Sequence, residues 1–311
     1  MRRGIVLGAL LAIFVLSMTL AGLQAPGQRR GGGAPEGQRR GAPPAPQPLE
    51  IQKVKDNLYM ITGEGGNTAV FITDKSVTIV DTKNPGNGQA ILDKIKTVTN
   101  KPIGTIINTH THADHTGSNE FFGGPTVEFV AHINTKENMA KMPNFAGDKA
   151  KFLPGKTYKD KLKLGSGKDE IDLYYFGPAH TNGDSFVVFP ALRAMHAGDA
   201  FAGKNTPIID ANNGGSAVDY GKTLQKATDL NVDTILTGHS MLMTPADLKE
   251  YAAFNNDFIT WIRGEIKAGK SVDAAAAEYK IPEKYKGYQI STFLGGIKNN
   301  VQVAYNELGK K

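Results

Sequence analysis

Cysteine is absent from the 311-residue chain. No disulfide framework, thiolate nucleophile, cysteine metal site or lipid-bearing cysteine is therefore available, and any chemistry must come from His, Asp, Glu and hydroxyl side chains. A thiol-free chain also suits an oxidising compartment. A strong charge of one sign is missing from the body of the protein. The formal net charge is +6, but Arg2 and Arg3, and then Arg29, Arg30, Arg39 and Arg40 set against Glu36, supply most of it. From Glu50 onward the chain is close to neutral, which leaves no electrostatic footprint for nucleic acid.

What is present begins with Met1-Arg2-Arg3, an apolar run from Ile5 to about Leu20, and a small-residue exit ending at Ala25. This order of basic, apolar and small residues predicts a secretory signal peptide over residues 1–25, with an uncleaved membrane anchor as the rival reading of the same run. In either case Arg2 and Arg3 stay inside, and the body is expected in the periplasm or outside the cell, with no other membrane association. Residues 26–49 are mostly Gly, Pro, Gln, Ala and Arg, have almost nothing to bury, and read as a disordered spacer. Residues 50–311 are long enough for one large domain. No repeat at a fixed period is visible, and nothing in the sequence specifies an oligomer.

Short β-branched and aromatic runs separated by Asp, Asn and Gly turns predict strands at 50–54, 58–62, 68–72, 76–80 and 104–108. Apolar residues Ile91, Leu92 and Ile95 at helical spacing predict a helix over 88–99. The second half repeats the style. Strands are expected at 127–131, 171–176, 185–189, 194–197 and 233–236, and helices at 216–230, 245–268, 271–279 and 292–308. Two strand-rich halves, each followed by helices, imply two packed sheets with helices outside.

Seven histidines occur: His110, His112, His115, His132, His180, His196 and His239. Three of them stand with Asp114 in the run His110-Thr111-His112-Ala113-Asp114-His115, directly after a buried apolar strand. Imidazole nitrogens and a hard carboxylate oxygen are what a divalent cation takes as ligands. On an extended segment His110 and His112 point to the same side. Asp114 and His115, at the turn that follows, can face a second ion.

With this motif the sequence resembles the metallo-β-lactamase superfamily, from about Leu58 to Pro245. The further matches are Gly177-Pro178-Ala179-His180-Thr181, Gly198-Asp199 and Thr237-Gly238-His239, each at a strand end and in the family's order. The resemblance implies an α/β fold, a four-layer αββα sandwich with the metals at one edge between the sheets, and a metal-dependent hydrolase. It implies two Zn2+ per chain. His110, His112 and His180 would hold one ion, and Asp114, His115 and His239 the other, with Asp199 bridging. A hydroxide between the ions would attack the substrate, with Asp114 orienting it as well as ligating. Asp81 matches an aspartate that supports the metal loop, and a turn residue is its other reading. His132, His196 and Asp184 read as structural.

The departures narrow the activity. Related β-lactamases place cysteine at the position of Asp199 and a lysine three residues further on, where this chain has Ala202; Lys204 lies near but does not match. The oxygen ligand resembles that of glyoxalase II-like thioesterases and lactonases, although the basic residues of the glutathione thioesterases are not evident. His112 argues against the diiron branch, which has glutamate there. The expected substrate is a small molecule with an activated acyl bond: a lactone, a thioester or a lactam. Three rival readings are a mononuclear iron dioxygenase of thiols or persulfides, a protein whose main role is weak β-lactam hydrolysis, and a metal-bound scaffold without catalysis. The complete ligand set counts against the first and the presence of Asp114 against the last. Phe254, Phe258 and Trp261 are expected in the core, and Phe293 with the C-terminal helices could cap the site.

Overall fold

The computed structural model describes residues 48–309. The first sheet contains β1 (Glu50–Lys55), β2 (Leu58–Thr62), β3 (Thr68–Ile72), β4 (Val77–Val80), β5 (Ile103–Asn108), β6 (Glu128–His132) and β7 (Lys156–Tyr158), in chain order. Neighbours are antiparallel from β1 to β4 and parallel from β4 to β7. The second contains β8 (Lys161–Leu164), β9 (Ile171–Tyr174), β10 (Phe186–Phe189), β11 (Ala194–His196) and β12 (Thr234–Leu236). It is antiparallel except between β11 and β12. The helices are α1 (Gly88–Lys96), α2 (Ala113–Thr116), α3 (Asn119–Phe122), α4 (Ile133–Met139), α5 (Ala217–Ala227), α6 (Pro245–Lys267), α7 (Val272–Glu278) and α8 (Gly296–Leu308).

Strand alternation sorts the core into three layers. Met60, Phe71, Val80 and Ile107 of the first sheet meet Leu173, Val187, Phe189 and Leu236 of the second, with the Phe71 and Phe189 rings 4.8 Å apart. The intervening residues Ile61, Val70, Ile79 and Ile106 face outward onto Ile91 and Ile95 of α1. On the far side Phe186, Val188, Met195 and Ile235 pack with α5 and α6 through Tyr220, Leu224, Leu248 and Tyr251. Each central strand is thus buried on both faces, which is why these strands read as continuous apolar runs. The result is the expected αββα sandwich. Phe254 and Phe258 are core residues, and Trp261 packs against them.

Several expectations need correction. β7 and β8 were not expected: both are short, each carries lysine, and Lys161 and Lys163 keep β8 exposed at a sheet edge. The helix expected at 292–308 starts only at Gly296, because Leu294, Gly295 and Gly296 adopt φ of 49°, 84° and 59°. The helix expected to run to Thr99 stops at Lys96. The signal segment and most of the spacer lie outside the described residues. Leu49, assigned to the spacer, is buried with Ile61 and Val70, so the folded body starts before Glu50. Among the described residues, no helix is long and apolar enough to cross a membrane.

Candidate metal centre

The candidate residues leave both sheets at the same end. β5 runs out at Asn108 into Thr109 and His110, and His112 is the N-cap of α2, whose first turn carries Asp114 and His115. From the second sheet come His180 after β9, Asp199 after β11 and His239 after β12. Three groups converge there: His110, His112 and His180; His110, His115 and Asp199; and Asp114, His115 and His239. Within each group the ligand atoms lie within 4.8 Å of one another.

Hydrogen bonds on the outer ring nitrogens set which way each imidazole presents its lone pair. His115 Nδ1 donates to Asp81 Oδ2 at 2.7 Å, and His180 Nδ1 to the Ile208 carbonyl at 2.7 Å. His112 Nε2 donates to Asp210 Oδ2 at 2.6 Å. The Thr109 hydroxyl donates to Asp81 Oδ2 at 2.7 Å, so it accepts from His110 Nδ1 at 3.1 Å. With neutral rings, the inner nitrogens are left free to accept: Nε2 of His110, His115 and His180, and Nδ1 of His112. His180 Nε2 and His112 Nδ1 lie 2.9 Å apart, close enough to face one cation together. His110 Nε2 and Asp199 Oδ1 are buried without a hydrogen bond, although Asp199 Oδ1 stands 3.2 Å from His115 Nε2. His239 Nε2 is 3.2 Å from both Asp114 Oδ2 and Asp199 Oδ2. Buried, unpartnered lone pairs are costly, and this donor set suits a divalent cation.

The local field agrees. Burial, then the neighbouring imidazoles, push His180 down to about 4 and His110 well below its ordinary value. The Asp199 charge, against burial, lifts His239 to about 9. Burial opposes protonation of His115, yet the Asp199 and Asp81 charges raise it well above the ordinary value. The Asp199 end of the cluster therefore attracts positive charge.

Asp81 sits at φ 64° and also accepts from the Thr109 backbone N–H at 2.8 Å, so one carboxylate orients the chain entering His110 and the ring of His115. Four supports escaped sequence reading. Asp210 is one, fixed by the Asn212 and Asn213 N–H groups and the Asn213 side chain. Burial opposes ionisation of Asp210, but the bonds from His112 and Asn213 hold its carboxyl well below the usual range. The Ile208 carbonyl is the second. Asn67 is the third, donating to the Thr237 and Ser240 carbonyls beside His239. Lys83, also at positive φ, is buried with Nζ donating to the Gly63 and Gly66 carbonyls at 2.8 Å. A turn-like Asp210-Ala-Asn-Asn-Gly stretch was the only signal for any of them. His196 donates to the Asn67 carbonyl and His132 to that of Lys159, and both stand outside the metal-facing groups.

The cluster opens on a cavity of about 790 Å3 lined by His112, Asp114, His180, Asp199 and His239 on one side and by Ala202, Asn205, Ile208 and residues 289–294, including Phe293, on the other. Lys204 does not line it. Its Nζ is paired with Asp247 at 2.9 Å and Glu250 at 3.3 Å.

A family model described as the metallo-beta-lactamase superfamily matches residues 61–239. The chain is 28% identical over 166 residues to the 2,4-dinitroanisole O-demethylase subunit alpha of Nocardioides sp. strain JS1661, across 52% of this chain and 49% of that protein. It is also 28% identical over 193 residues to metallo-beta-lactamase type 2 of Elizabethkingia meningoseptica, across 59% and 68%. Among solved structures, the sec-alkylsulfatase Pisa1 from Pseudomonas sp. superposes with a TM-score of 0.69 at 16% identity, covering 85% of this chain and 51% of that one. A metallo-beta-lactamase from Pontibacter korlensis gives 0.58 at 18%, covering 67% and 99%. The chain spans about half the length of the O-demethylase subunit and of the alkylsulfatase, and the structural likenesses are likenesses of fold.

Proposed function

This chain belongs to the metallo-β-lactamase superfamily, whose members are metal-dependent hydrolases, and we propose that it is an exported enzyme with two zinc ions that cleaves a small activated acyl compound, a lactone or thioester before a lactam. The observation that carries the reading is the pair of inward-facing donor groups joined by Asp199, which open on the cavity. His110, His112 and His180 would hold one ion, and Asp114, His115 and His239 the other, with Asp199 between them. Bound zinc supplies Lewis acidity and a nucleophile near neutral pH. Asp114 lines the cavity, where its carboxylate would orient the attacking group and take up its proton. Asp81, Asp210, Ile208 and Asn67 keep the ligands in place while this happens. Export is read from residues 1–25 alone.

The preference among acyl substrates follows from the lining. A lactam hydrolase has to hold the carboxylate of its substrate beside the metals. Here Ala202 lines the cavity where a cation would serve, and Lys204 is engaged with Asp247 and Glu250. The test is metal analysis of the purified protein, chelation and zinc return, then a panel of lactones, thioesters, lactams, phosphate esters and sulfate esters. Two zinc ions per chain, zinc-restored activity and lactone or thioester turnover above lactam turnover are expected. Asp199→Ala should lower turnover by orders of magnitude and release one ion. One iron per chain with oxygen consumption would overturn the reading.

A further inference from the structure

Beyond the metal-facing residues, the polar members of the cavity wall are uncharged: Asn84, Asn205, Gln289, Ser291 and Thr292, with no Lys or Arg among them. Six large apolar side chains are exposed among the described residues, and five of them fall in two short segments. Met241 and Leu242 follow His239 in the chain, and Ile290, Phe293 and Leu294 line the cavity. Phe293 is the most exposed of the six, at 73%. Exposed apolar side chains scattered singly are ordinary, but a cluster at the mouth of a cavity marks a binding surface.

The cluster is held in place before any substrate arrives. Gln289 N–H donates to the Lys204 carbonyl, Thr206 N–H to the Gln289 carbonyl and Ser291 N–H to the Thr206 hydroxyl. Asn299 and Asn300 of α8 donate to the Ile209 and Pro207 carbonyls. The left-handed backbone at Leu294, Gly295 and Gly296 delays the start of α8 and leaves Phe293 and Leu294 at the mouth. These residues lie beyond residue 239, where the family match ends, so this wall belongs to the C-terminal part of the chain.

Resting on the hydrolase reading above, we propose that residues 290–294 form an apolar lip that holds the uncharged hydrocarbon tail of the substrate while its acyl group lies among His112, Asp114, His180 and Asp199. The substrate class is then an uncharged lactone or thioester with an alkyl or aryl tail. The neutral wall offers an anionic tail no partner, and the cavity volume lies in the range that accepts such a molecule.

The test measures binding and turnover separately. Zinc-loaded protein is titrated calorimetrically with unreactive n-alkyl amides of increasing chain length, and kcat/KM is measured for n-alkyl thioesters and lactones of matching length. In the native protein, affinity and kcat/KM should rise about two- to fourfold for each methylene that reaches the lip. Phe293→Ser should flatten both series. Phe121→Ser, exposed on α3 away from the cavity lining, should leave them unchanged. A flat series in the native protein, or a slope that survives Phe293→Ser combined with Leu294→Ser, overturns the proposal. A change in self-association on Phe293→Ser with amide binding unaltered would make the lip an interface between copies and overturn it as well. Amides that bind with the expected slope while every ester goes uncut would remove the assigned reaction and leave the lip standing. Esters cut without length dependence would do the reverse.

Discussion

Replacing Asp210 by Asn tests how the metal centre is supported, because the change keeps the size of the side chain and alters only its hydrogen-bonding logic. In the native protein Asp210 Oδ2 accepts from His112 Nε2 at 2.6 Å and from Asn213 Nδ2 at 2.6 Å, while Oδ1 accepts from two backbone N–H groups. An asparagine has one oxygen, and the backbone donors of the turn claim it. Its amide then faces His112 as a donor, and the imidazole can meet it only by moving its proton to Nδ1, the nitrogen turned toward His180 Nε2. A cation must now displace that proton before it binds. Losing an outer partner of a ligating histidine costs about 10- to 100-fold in metal affinity, or roughly 1.4 to 2.7 kcal/mol. Zinc competition against a chromophoric chelator should show one of two equivalents weakened by that factor and the other near its native value, since Asp210 touches no residue of the Asp114, His115 and His239 group. Activity should return as zinc is raised. Native affinity at both sites, or equal loss at both, would refute the reasoning.

Two further substitutions probe the surroundings. A methyl group at Gly238 would collide with Asp199 Oδ1 and the Gly198 carbonyl, so Gly238→Ala should lower kcat/KM by about 100-fold or more at saturating zinc. An unchanged kcat/KM would show that Asp199 does not need its present position. Burial pushes Lys83 down to about 7, against the Asp81 and other nearby acidic charges. Between pH 7 and about 10, the unfolded chain therefore binds a proton that the folded chain does not, and stability should climb with pH. Denaturant titrations should show native protein gaining on Lys83→Met by up to roughly 1.4 kcal/mol per pH unit in that window, and parallel curves for the two would sink the assignment.

The parts that were legible in the sequence are those whose chemistry is local. His110, His112, Asp114 and His115 announce themselves by spacing, and His180, Asp199 and His239 each close an apolar run short enough to be a strand. Two packed sheets with helices outside were readable from the order of strand-rich and helical stretches, and the four-layer αββα form followed from the family resemblance. Asp210 was not legible, since its partner lies 98 residues away in the chain and its own neighbourhood spells a turn. Nor was Lys83, because a lysine in a loop reads as solvated until the Gly63 and Gly66 carbonyls are seen around it. The sequence left open whether Phe293 caps the site, and the helix expected around it was misplaced. Apolar spacing continues through Leu294, while the two glycines that follow allow the chain to turn left-handed.

The candidate ligand residues come from two layers: His110 to His115 leave the first sheet, while His180, Asp199 and His239 leave the second. A cation shared between them is a cross-link, in a chain that has no cysteine with which to make another. Unlike a disulfide, this fastening depends on the medium. Each ion bound only by the folded state adds about 2.7 kcal/mol when free zinc stands at 100 times its dissociation constant, and nothing when zinc is withdrawn. Wherever the available metal varies, lifetime and activity would rise and fall together.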